Sequence, residues 1–561
     1  MFAVRLFYLQ VIRHGYYVEQ AKQTQVTKLT VLPERGKIYA LDGTTPVPLV
    51  LNETVYTVFA DPQEVKDKAA VTSAVKQIAG GDLVDGFETR LASKVLRYVP
   101  MAKQVSRTQA VKLQDMKLAG VGLQKGTRRV YPEGQLGSQM LGFVDTEGAG
   151  NYGIESYFNK ELTGTSGELQ TVTDVRQIPL TIGQKDVSVP AKDGENVVLS
   201  VDRNIQQETE QVLKAGLEKA KATKGSAIVM DPNTGRVLAM ANLPTYDASK
   251  YQDYSDYSLF QNGIVSDPFE VGSVMKVLSV GAGIDSGAVT ANSTYNNTGK
   301  VIVDGSTIRN VEDDPIFPNT SMTDVLRYSL NTGVVYVLQQ MGGGDVNQAA
   351  RQKLYDYYSG RYRFNQITGI EQANESKGIL VGPNEGEGRN VRYANMMFGQ
   401  GMDITMLQMT AAFSAAMNGG TYYKPTMVKG TLNVDGSVKV AAPRVEATGV
   451  LSPANSDALR EITYQGRHLG FFGKSDPAGY KVGGKTGTSQ IIDPKTGQYS
   501  DSNSIGTYIG YGGTDKPQYV IMVRVQDSKL TSGYAGTVAA GPIFNELSNW
   551  MLSYLEIPPK T

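Results

Sequence analysis

The sequence predicts an α/β protein of the α+β kind with two domains, and three features lead to that fold class. The chain has 561 residues, more than a single hydrophobic core commonly organises. Residues 204–222 repeat apolar side chains at helical spacing, which is typical of an amphipathic helix. Two apolar runs follow at 226–230 and 237–241, and the Asp-Pro-Asn-Thr-Gly turn between them predicts a hairpin.

The end of the chain repeats this combination of strands and helix. Residues 504–510 and 519–525 are a second predicted pair of strands, and residues 542–555 form a helix with one apolar stripe. We expect the strands from both ends of this half to share one sheet. The long stretch between them, 275–470, is predicted to be mostly helical with Gly- and Asn-rich turns.

The first part of the chain predicts a smaller mixed α+β platform. A polar segment at 184–196, with a proline and a glycine, marks the predicted domain boundary. Before it, residues 34–43 predict a strand followed by an Asp-Gly turn, and residues 61–79 and 86–99 predict helices. Asp61 is the expected N-cap of the first helix because a proline follows it.

The amino-terminal segment 1–12 is apolar except for Arg5 and Gln10. It is shorter than the roughly 20 residues that a membrane span needs. It also lacks the charged start and small-residue cleavage site of a signal peptide. Because apolar residues recur at helical spacing, we favour an amphipathic or stalk helix over a membrane contact.

Composition excludes several classes of function. The 55 basic and 55 acidic residues cancel without forming a basic block, so a nucleic-acid partner has no electrostatic support. The absence of cysteine excludes disulfides, thiolate nucleophiles and cysteine-bound metals. His14 and His468 are the two histidines of the sequence, and neither lies in a motif typical of a serine–histidine triad. A serine enzyme of this sequence would need another base.

Three short signals in the second half carry possible chemistry. They occur in a fixed order and are Ser273-Val274-Met275-Lys276, Ser329-Leu330-Asn331 and Lys485-Thr486-Gly487-Thr488. None is specific alone, because Lys-Thr-Gly recurs at 495–497 in a turn-like context. The first copy follows a predicted strand at 480–484, which would present its lysine from a rigid sheet edge.

The first signal predicts a serine nucleophile with a lysine base. Residues three apart share a helical face, so the Lys276 amine can reach the Ser273 hydroxyl. Free lysine titrates at about 10.4, so the site must desolvate Lys276 or place a second cation such as Lys485 near it. Gly272 suits a tight turn that leaves backbone N–H groups near the nucleophile, where an oxyanion could be held.

The other two signals predict substrate contacts, each with a structural alternative. Ser329 and Asn331 would supply a proton shuttle and an amide for a substrate backbone, or they form an ordinary turn or cap. Lys485, Thr486 and Thr488 would bind a carboxylate through one positive charge and two hydroxyl donors. Glycines such as the one at 487 would allow a peptide to approach the strand. The alternative for this segment is an edge strand protected by a lysine.

The ordered set of motifs resembles the penicilloyl-serine transferases, and further segments resemble the monofunctional, class B, penicillin-binding proteins. Segments from both halves share this resemblance: Arg35-Gly36-Lys37-Ile38, Arg129-Val130-Tyr131-Pro132, Leu141-Gly142-Phe143, Gly153-Ile154-Glu155, the strand pair from Gly225, and Phe398-Gly399-Gln400-Gly401. The resemblance covers nearly the whole chain.

The resemblance implies a domain organisation. It implies a residual stalk at 1–20, a non-catalytic pedestal or dimerisation domain at 21–190, and a transpeptidase domain at 195–557. The last domain would combine an antiparallel sheet flanked by helices with an all-helical lobe. Family members usually begin with one membrane helix, so we expect that anchor to be missing from this sequence. Val271 replaces the proline that is typical before Gly-Ser.

The resemblance also assigns roles in peptidoglycan cross-linking without a metal or cofactor. Ser273 would be acylated by a D-Ala-D-Ala stem peptide, with Lys276 as base and Ser329 as proton relay. Asn331 would orient the peptide, and Lys485 would hold the terminal carboxylate. The backbone N–H groups of Ser273 and Thr488 would form the oxyanion hole, while Thr486, Gly487 and Thr488 would bind substrate. β-Lactams would acylate the same serine.

Other functions remain open at this level. A D,D-carboxypeptidase or β-lactamase would pass the acyl group to water, and a non-catalytic scaffold would only recruit wall-synthesis proteins. The expected partners are peptidoglycan stem peptides, β-lactams, a polytopic glycosyltransferase and other division proteins. The expected location is the extracytoplasmic face of the bacterial membrane, and a septal role is favoured slightly over elongation.

Overall fold

The computed structural model describes residues 2–16, 26–80, 82–172, 188–311, 314–386, 389–433, 435–492, 499–528 and 533–560. The chain divides into two compact units. The first comprises Met1–Ile38, Pro48–Pro132 and Asn159–Val197, and the second comprises Tyr39–Val47, Glu133–Phe158 and Val198–Thr561. The segment 133–158, expected in the pedestal, thus belongs to the second compact unit, and the domain bounds 21–190 and 195–557 stay predictions.

The first unit is built on one long strand, Thr45–Ala60, which lies in it from Pro48 onwards. This strand pairs antiparallel with Val99–Ser106 and Val121–Val130, and Asp82–Leu83 extends the sheet. The helices that accompany it are Lys68–Ile78, Phe87–Leu91, Arg107–Asp115 and Asn159–Thr163. A second sheet contains Val26–Val31, Gly167–Val172 and Ser188–Val189.

Two helix predictions in this unit are wrong in extent. The helix expected at 61–79 begins only at Lys68, because Asp67 caps it by accepting from Ala70 N at 2.9 Å. Asp61 instead accepts from Gln63 N in a turn. The helix expected at 86–99 ends at Leu91. Residue 99 precedes a proline, which disfavours helix, and it begins a strand with alternating burial.

The amino-terminal segment is helical over Phe2–Phe7 and continues as a wider turn over Tyr8–Ile12. The stalk prediction for 1–20 is therefore helical where it is described, and residues 17–20 lie outside the described residues. In the described part of the chain, every helix is too short or too polar to cross a membrane.

A five-stranded antiparallel sheet organises the second unit. Its strands are β1 (Lys224–Met230), β2 (Val237–Leu243), β3 (Lys481–Ile492), β4 (Tyr499–Gly513) and β5 (Pro517–Gln526). Their order across the sheet is β2-β1-β5-β4-β3, so β3 is an edge strand. The prediction that strands from both ends of this half share one sheet is confirmed.

Seven helices matter for the site and its support. They are α1 (Arg203–Ala220), α2 (Met275–Asp285), α3 (Met322–Arg327), α4 (Asn331–Met341), α5 (Met406–Met417), α6 (Pro453–His468) and α7 (Gly541–Tyr554). Shorter helices are Ser138–Leu141, Gly153–Tyr157, Gly263–Ser266, Gln348–Tyr355 and Arg389–Met396. The stretch 275–470 carries α2 to α6 as expected, but loops and short strands make up more than half of it, so the prediction that it is mostly helical is wrong in extent.

The remaining strands of this unit are short. They are Ile38–Asp42, Phe143–Val144, Gly150–Asn151, Val197–Asp202, Thr294–Tyr295, Lys300–Val303, Ser306–Arg309, Thr320–Ser321, Tyr422–Tyr423, Val428–Leu432, Val438–Val440 and Val445–Ala447. Lys300–Val303 and Ser306–Arg309 form a hairpin that leads towards α3 and α4.

The sheet packs helices on both faces because its strands alternate. Val229 of β1 lies in a buried cluster with residues of α1 and α7, including Leu213 and Phe544. The next residue, Met230, faces the other way, and its sulfur contacts the Ser414 hydroxyl of α5. Neighbouring strand residues point to opposite faces. The three sequence motifs lie at the start of α2, at the start of α4 and on the edge strand β3.

Candidate active site

The nucleophile candidate lies on a tight turn that leads into α2. Gly272 has φ +68°, a conformation that glycine adopts without strain, and Gly272–Val274 forms a short 3-10 turn before α2. A Cβ on Gly272 would lie 2.7 Å from the carbonyl oxygen of Thr488. Gly272 N also donates to Gly399 O at 3.1 Å. The start of the nucleophile helix is therefore pressed against β3, with Ser273 half-buried beside it.

Lys276 is buried one turn further along and is held by the second motif. Its side chain is only 1 % exposed. Its ammonium donates to the Ser329 hydroxyl at 3.1 Å and to the Ser329 carbonyl oxygen. The Phe398 ring centroid lies 6.0 Å from Nζ. Among the described residues Ser329 is its hydrogen-bond partner.

Burial sets the charge state of Lys276. Desolvation lowers the pKa of Lys276 well below its usual value, and the nearby cation Lys485 lowers it further. The carboxylate of Asp314 acts in the opposite direction. A lysine in such surroundings can be neutral near physiological pH and can accept a proton.

The Ser329-Leu330-Asn331 motif forms the turn between α3 and α4. Ser329 has φ +60°, so its hydroxyl and carbonyl both reach Lys276. Asn331 is the first residue of α4, and its Nδ2 donates to Arg309 O at 2.9 Å. The N-cap position is Leu330 and has no side-chain cap. Ser329 thus lies in a turn, and neither polar side chain caps the helix; the proton-shuttle role of Ser329 stays a prediction.

The third motif lies on β3. Lys485 is 4 % exposed, and its Nζ donates to the carbonyl and hydroxyl oxygens of Thr486 at 3.1 and 3.2 Å. Burial lowers the pKa of Lys485 to about 7. Gly487 has no room for a side chain, since a Cβ would lie 2.9 Å from Val271 O. Thr488 Oγ1 accepts from Gly536 N at 3.4 Å.

The structure therefore brings the three signals together. The first and third meet where Gly272 contacts Thr488, and the first and second meet at Lys276 and Ser329. The backbone of Ser273 adjoins that of Thr488, which is where the expected oxyanion hole would form. The second Lys-Thr-Gly copy, at 495–497, lies outside the described residues. The roles assigned to these residues stay predictions.

Sequence reasoning missed two residues that support this arrangement. Phe398 was part of a family-like segment but had no assigned role, and its ring flanks Lys276. Thr507 of β4 donates through its hydroxyl to Val271 O at 3.0 Å, which ties the nucleophile turn to the sheet. A polar residue within a predicted apolar strand was the available signal for Thr507.

Arg467 is a third missed residue and lies behind β3. It forms a bidentate ion pair with Asp476 at 2.6 and 2.9 Å and donates to the Tyr508 hydroxyl. Tyr508 is the register partner of Thr486, and a Cβ on Gly484 would lie 2.6 Å from its ring. The Arg467–Asp476 ion pair therefore holds Tyr508, which packs against the strand that carries the Lys-Thr-Gly segment. In the described part of the chain, no cluster of three or more metal-ligating side chains occurs.

Comparison with known families matches residues 225–549 to the penicillin-binding protein transpeptidase domain and residues 30–199 to the penicillin-binding protein dimerisation domain. Stage V sporulation protein D of Bacillus subtilis is 30 % identical over 99 % of this chain and 84 % of its own length. Peptidoglycan D,D-transpeptidase FtsI of Escherichia coli is 27 % identical over 99 % of this chain and 89 % of its own length.

Solved structures agree with these matches. A peptidoglycan synthetase from Bifidobacterium adolescentis superposes with a TM-score of 0.74 at 25 % identity, covering 96 % of this chain and 98 % of that one. The fold class predicted from the sequence is confirmed, and so is the resemblance to class B proteins. The chain belongs to the penicillin-binding protein transpeptidase family, with an accompanying dimerisation domain.

Proposed function

We propose that this protein is a serine-type peptidoglycan D,D-transpeptidase that cross-links stem peptides through an acyl-enzyme on Ser273. The observation that carries the proposal is the meeting of three elements: a half-buried serine on a tight turn, a desolvated lysine one helical turn away, and a buried lysine on an edge strand. The names of the relatives support the same reaction.

In the first half-reaction, Ser273 Oγ attacks the carbonyl carbon between the two terminal D-alanines. Lys276 accepts the hydroxyl proton, and the developing oxyanion lies towards the N–H groups of Ser273 and Thr488. The C–N bond then breaks, and Ser329 passes a proton to the leaving amine. D-Alanine departs and an ester remains on Ser273.

In the second half-reaction, the amine of a neighbouring stem peptide attacks the ester. Its nitrogen loses a proton to the same lysine system, the new amide forms, and Ser273 Oγ regains its proton. Asn331 orients the peptide during both steps. A β-lactam follows only the first half, because opening its ring leaves the amine tethered in the site.

The two lysines cooperate through their charges. A substrate carboxylate beside Lys485 favours its protonated form, since an opposite charge raises the pKa of a lysine. A protonated Lys485 in turn lowers the pKa of Lys276. Substrate binding therefore stabilises the cation that holds the carboxylate and the neutral amine that acts as base.

We further propose that the reaction takes place at the extracytoplasmic face of the membrane, where peptidoglycan is assembled, together with a polytopic glycosyltransferase and other division proteins. A septal role is the favoured assignment. One alternative function is that of a carboxypeptidase or β-lactamase, which would pass the acyl group to water. A second alternative is a non-catalytic scaffold.

The test is covalent labelling with a fluorescent penicillin, read by gel and intact mass. We expect one adduct per chain that hydrolyses slowly, and no adduct on Ser273→Ala. Ser286→Ala, at the end of α2, is the matched control and should label normally. A second assay with a D-Ala-D-Ala peptide and an amine acceptor should give the cross-linked amide. Rapid penicillin turnover would favour the β-lactamase, and an unlabelled folded protein would favour the scaffold.

A further inference from the structure

We infer that Ser279 and Tyr358 are positioning residues for the proposed base, because they hold residues 396–399 across the nucleophile helix so that Phe398 covers Lys276. The inference rests on the proposed function, since it concerns how the proposed general base, Lys276, is shielded from water. Neither residue contacts the substrate site directly. Their effect passes through the backbone that carries Phe398.

A buried pair of hydroxyls forms the contact. Ser279, three residues after Lys276 on α2, lies with its Oγ 2.7 Å from the Tyr358 hydroxyl and 2.7 Å from Met397 O. The Tyr358 hydroxyl is also 3.2 Å from Met396 O. Ser279 and Tyr358 are both completely buried. Ser279 Oγ also lies 3.1 Å from a carbonyl oxygen of the preceding turn of α2. With one proton each, Ser279 can donate to the nearer Met397 carbonyl, and Tyr358 can share its proton between Ser279 Oγ and Met396 O.

The same short segment is fixed at its other end by glycine. Gly399 O accepts from Gly272 N at 3.1 Å, and a Cβ on Gly399 would lie 2.2 Å from Gly272 O. Residues 396–399 therefore touch the helix before and after Lys276. Phe398 lies between these two attachments with its ring beside the amine. Backbone contacts on both sides of Phe398 fix its position, in addition to the packing of its side chain.

An irregular helical turn positions the side chain of Tyr358. Residues Asp356–Arg361 form a π-helical turn, a feature that often occurs at functional sites. From this turn Tyr357 donates to Asp285 at 2.8 Å, and the following Tyr362 donates to Leu278 O at 2.9 Å. Together with Tyr358, these hydroxyls hold the nucleophile helix along its length. Tyr358 is the member that also reaches Met396 O directly, and it reaches residue 397 only through Ser279.

The inference predicts a change in pH dependence. The charged groups that face Lys276 are Lys485 from β3 and Asp314 from the loop before α3. Both stay in place when the Tyr358 hydroxyl is removed. If residues 396–399 loosen, water reaches the amine and the pKa of Lys276 rises. Acylation needs the neutral amine, so its acidic limb must move to higher pH.

The experiment compares Tyr358→Phe with Tyr362→Phe in the full chain. Each variant loses one buried hydroxyl from the same region, so their losses of stability should be similar. We measure the acylation rate with one penicillin from acid to alkaline pH. We expect Tyr358→Phe to shift the acidic limb by about one pH unit, which lowers the rate below the limb about tenfold. Tyr362→Phe should keep the wild-type limb.

Identical limbs in the two variants would overturn the inference. If Tyr358→Phe does not fold, Ser279→Ala takes its place and must show the same shift. If the wild-type protein is not labelled at Ser273, that result would instead contradict the proposed function. The two failures are therefore distinguishable, because one appears in the wild type and the other only in the comparison of variants.

Discussion

Two buried lysines meet in this site, and their surroundings differ in a way that separates their tasks. Lys276 donates to a carbonyl and a hydroxyl of Ser329, a residue from a different segment. Within the described residues, Lys485 donates to Thr486 alone, its own neighbour on an edge strand. Neither forms an ion pair with a described carboxylate. The hydrogen-bond partners of Lys276 are thus both supplied by Ser329, with Lys485 and Asp314 as nearby charges, whereas the proposed role of Lys485 is to bind an incoming anion.

The comparison of the two lysines shows that burial alone does not distinguish a general base from a carboxylate-binding residue. Desolvation lowers the pKa of both amines. The difference lies in what can approach each one: Phe398 closes one side of Lys276, while Lys485 lies on β3, whose outer edge is free of a further strand within the described sheet. The enclosed lysine suits a base, and the edge lysine suits a carboxylate anchor.

Removing the enclosed lysine should have the largest effect. Lys276→Met keeps the apolar stem and deletes the amine, so we expect acylation to slow by about 10²- to 10⁴-fold, the usual contribution of a positioned general base. A time course of penicillin labelling measures it. The control is Lys353→Met, which removes another amine that donates to a backbone carbonyl in the helical lobe. Acylation by Lys276→Met at the wild-type rate would contradict the assignment of Lys276 as the general base.

Removing the edge lysine should have a smaller effect on a different step. A hydrogen bond to a charged group contributes about 1.5–3 kcal/mol, so Lys485→Met should weaken pre-acylation binding of a carboxylate β-lactam about tenfold to a hundredfold. Rates at increasing ligand concentration separate binding from acylation. Lys481→Met on the same strand, which removes an exposed pair with Glu461 and a contact with the Tyr464 ring, should leave binding unchanged. Equal losses in both variants would contradict the assignment.

The pH profile should show both lysines. The neutral form of Lys276 increases with pH and gives a rising limb. The cationic form of Lys485 disappears above its pKa of about 7 and gives a falling limb. A bound carboxylate raises that pKa, so the falling limb should lie at higher pH in saturating ligand. Each limb changes the rate about tenfold per pH unit. A flat profile between pH 5 and 9, about two units on either side of that pKa, would contradict the two-lysine scheme.

The smallest predicted effect concerns the support behind β3. Tyr508→Phe leaves Arg467 without one acceptor and loosens the strand opposite Thr486. We expect a loss of a few-fold in carboxylate binding and about 1 kcal/mol in unfolding free energy, with the rising pH limb unchanged. Tyr519→Phe on β5, which loses a similar hydroxyl contact to Ser548 of α7, should destabilise the protein without changing binding. Binding losses of the same size in both would show that the support is not specific.

Much of the fold followed from local pattern. The helix expected at 204–222 is observed at Arg203–Ala220, and both predicted strand pairs join one sheet. These elements have periodic burial, which sequence displays directly. The helix expected from Asp61 begins at Lys68 instead, because several residues can cap and only packing selects one. The helix expected at 86–99 ends at Leu91, and its last predicted residue instead begins the strand Val99–Ser106 before a proline.

The site was predictable where spacing sufficed. Ser273 lies on the short turn that leads directly into α2 and Lys276 lies in the first turn of that helix, so their proximity is a local property. The approach of Lys276 to Ser329 required the motif order of a known family. The approach of Phe398 to Lys276, and of Thr507 to Val271, depends on contacts between distant segments that no periodicity encodes. Such contacts arise from packing of the complete domain.

The most direct test of the division between the lysines uses one penicillin and its methyl ester, which lacks the anionic carboxylate. Acylation by both ligands is measured for wild type, Lys276→Met and Lys485→Met. We predict that Lys276→Met slows both ligands equally, whereas Lys485→Met slows the acid and leaves the ester at the wild-type rate. An equal loss for acid and ester in Lys485→Met would contradict the central claim that the edge lysine recognises the carboxylate.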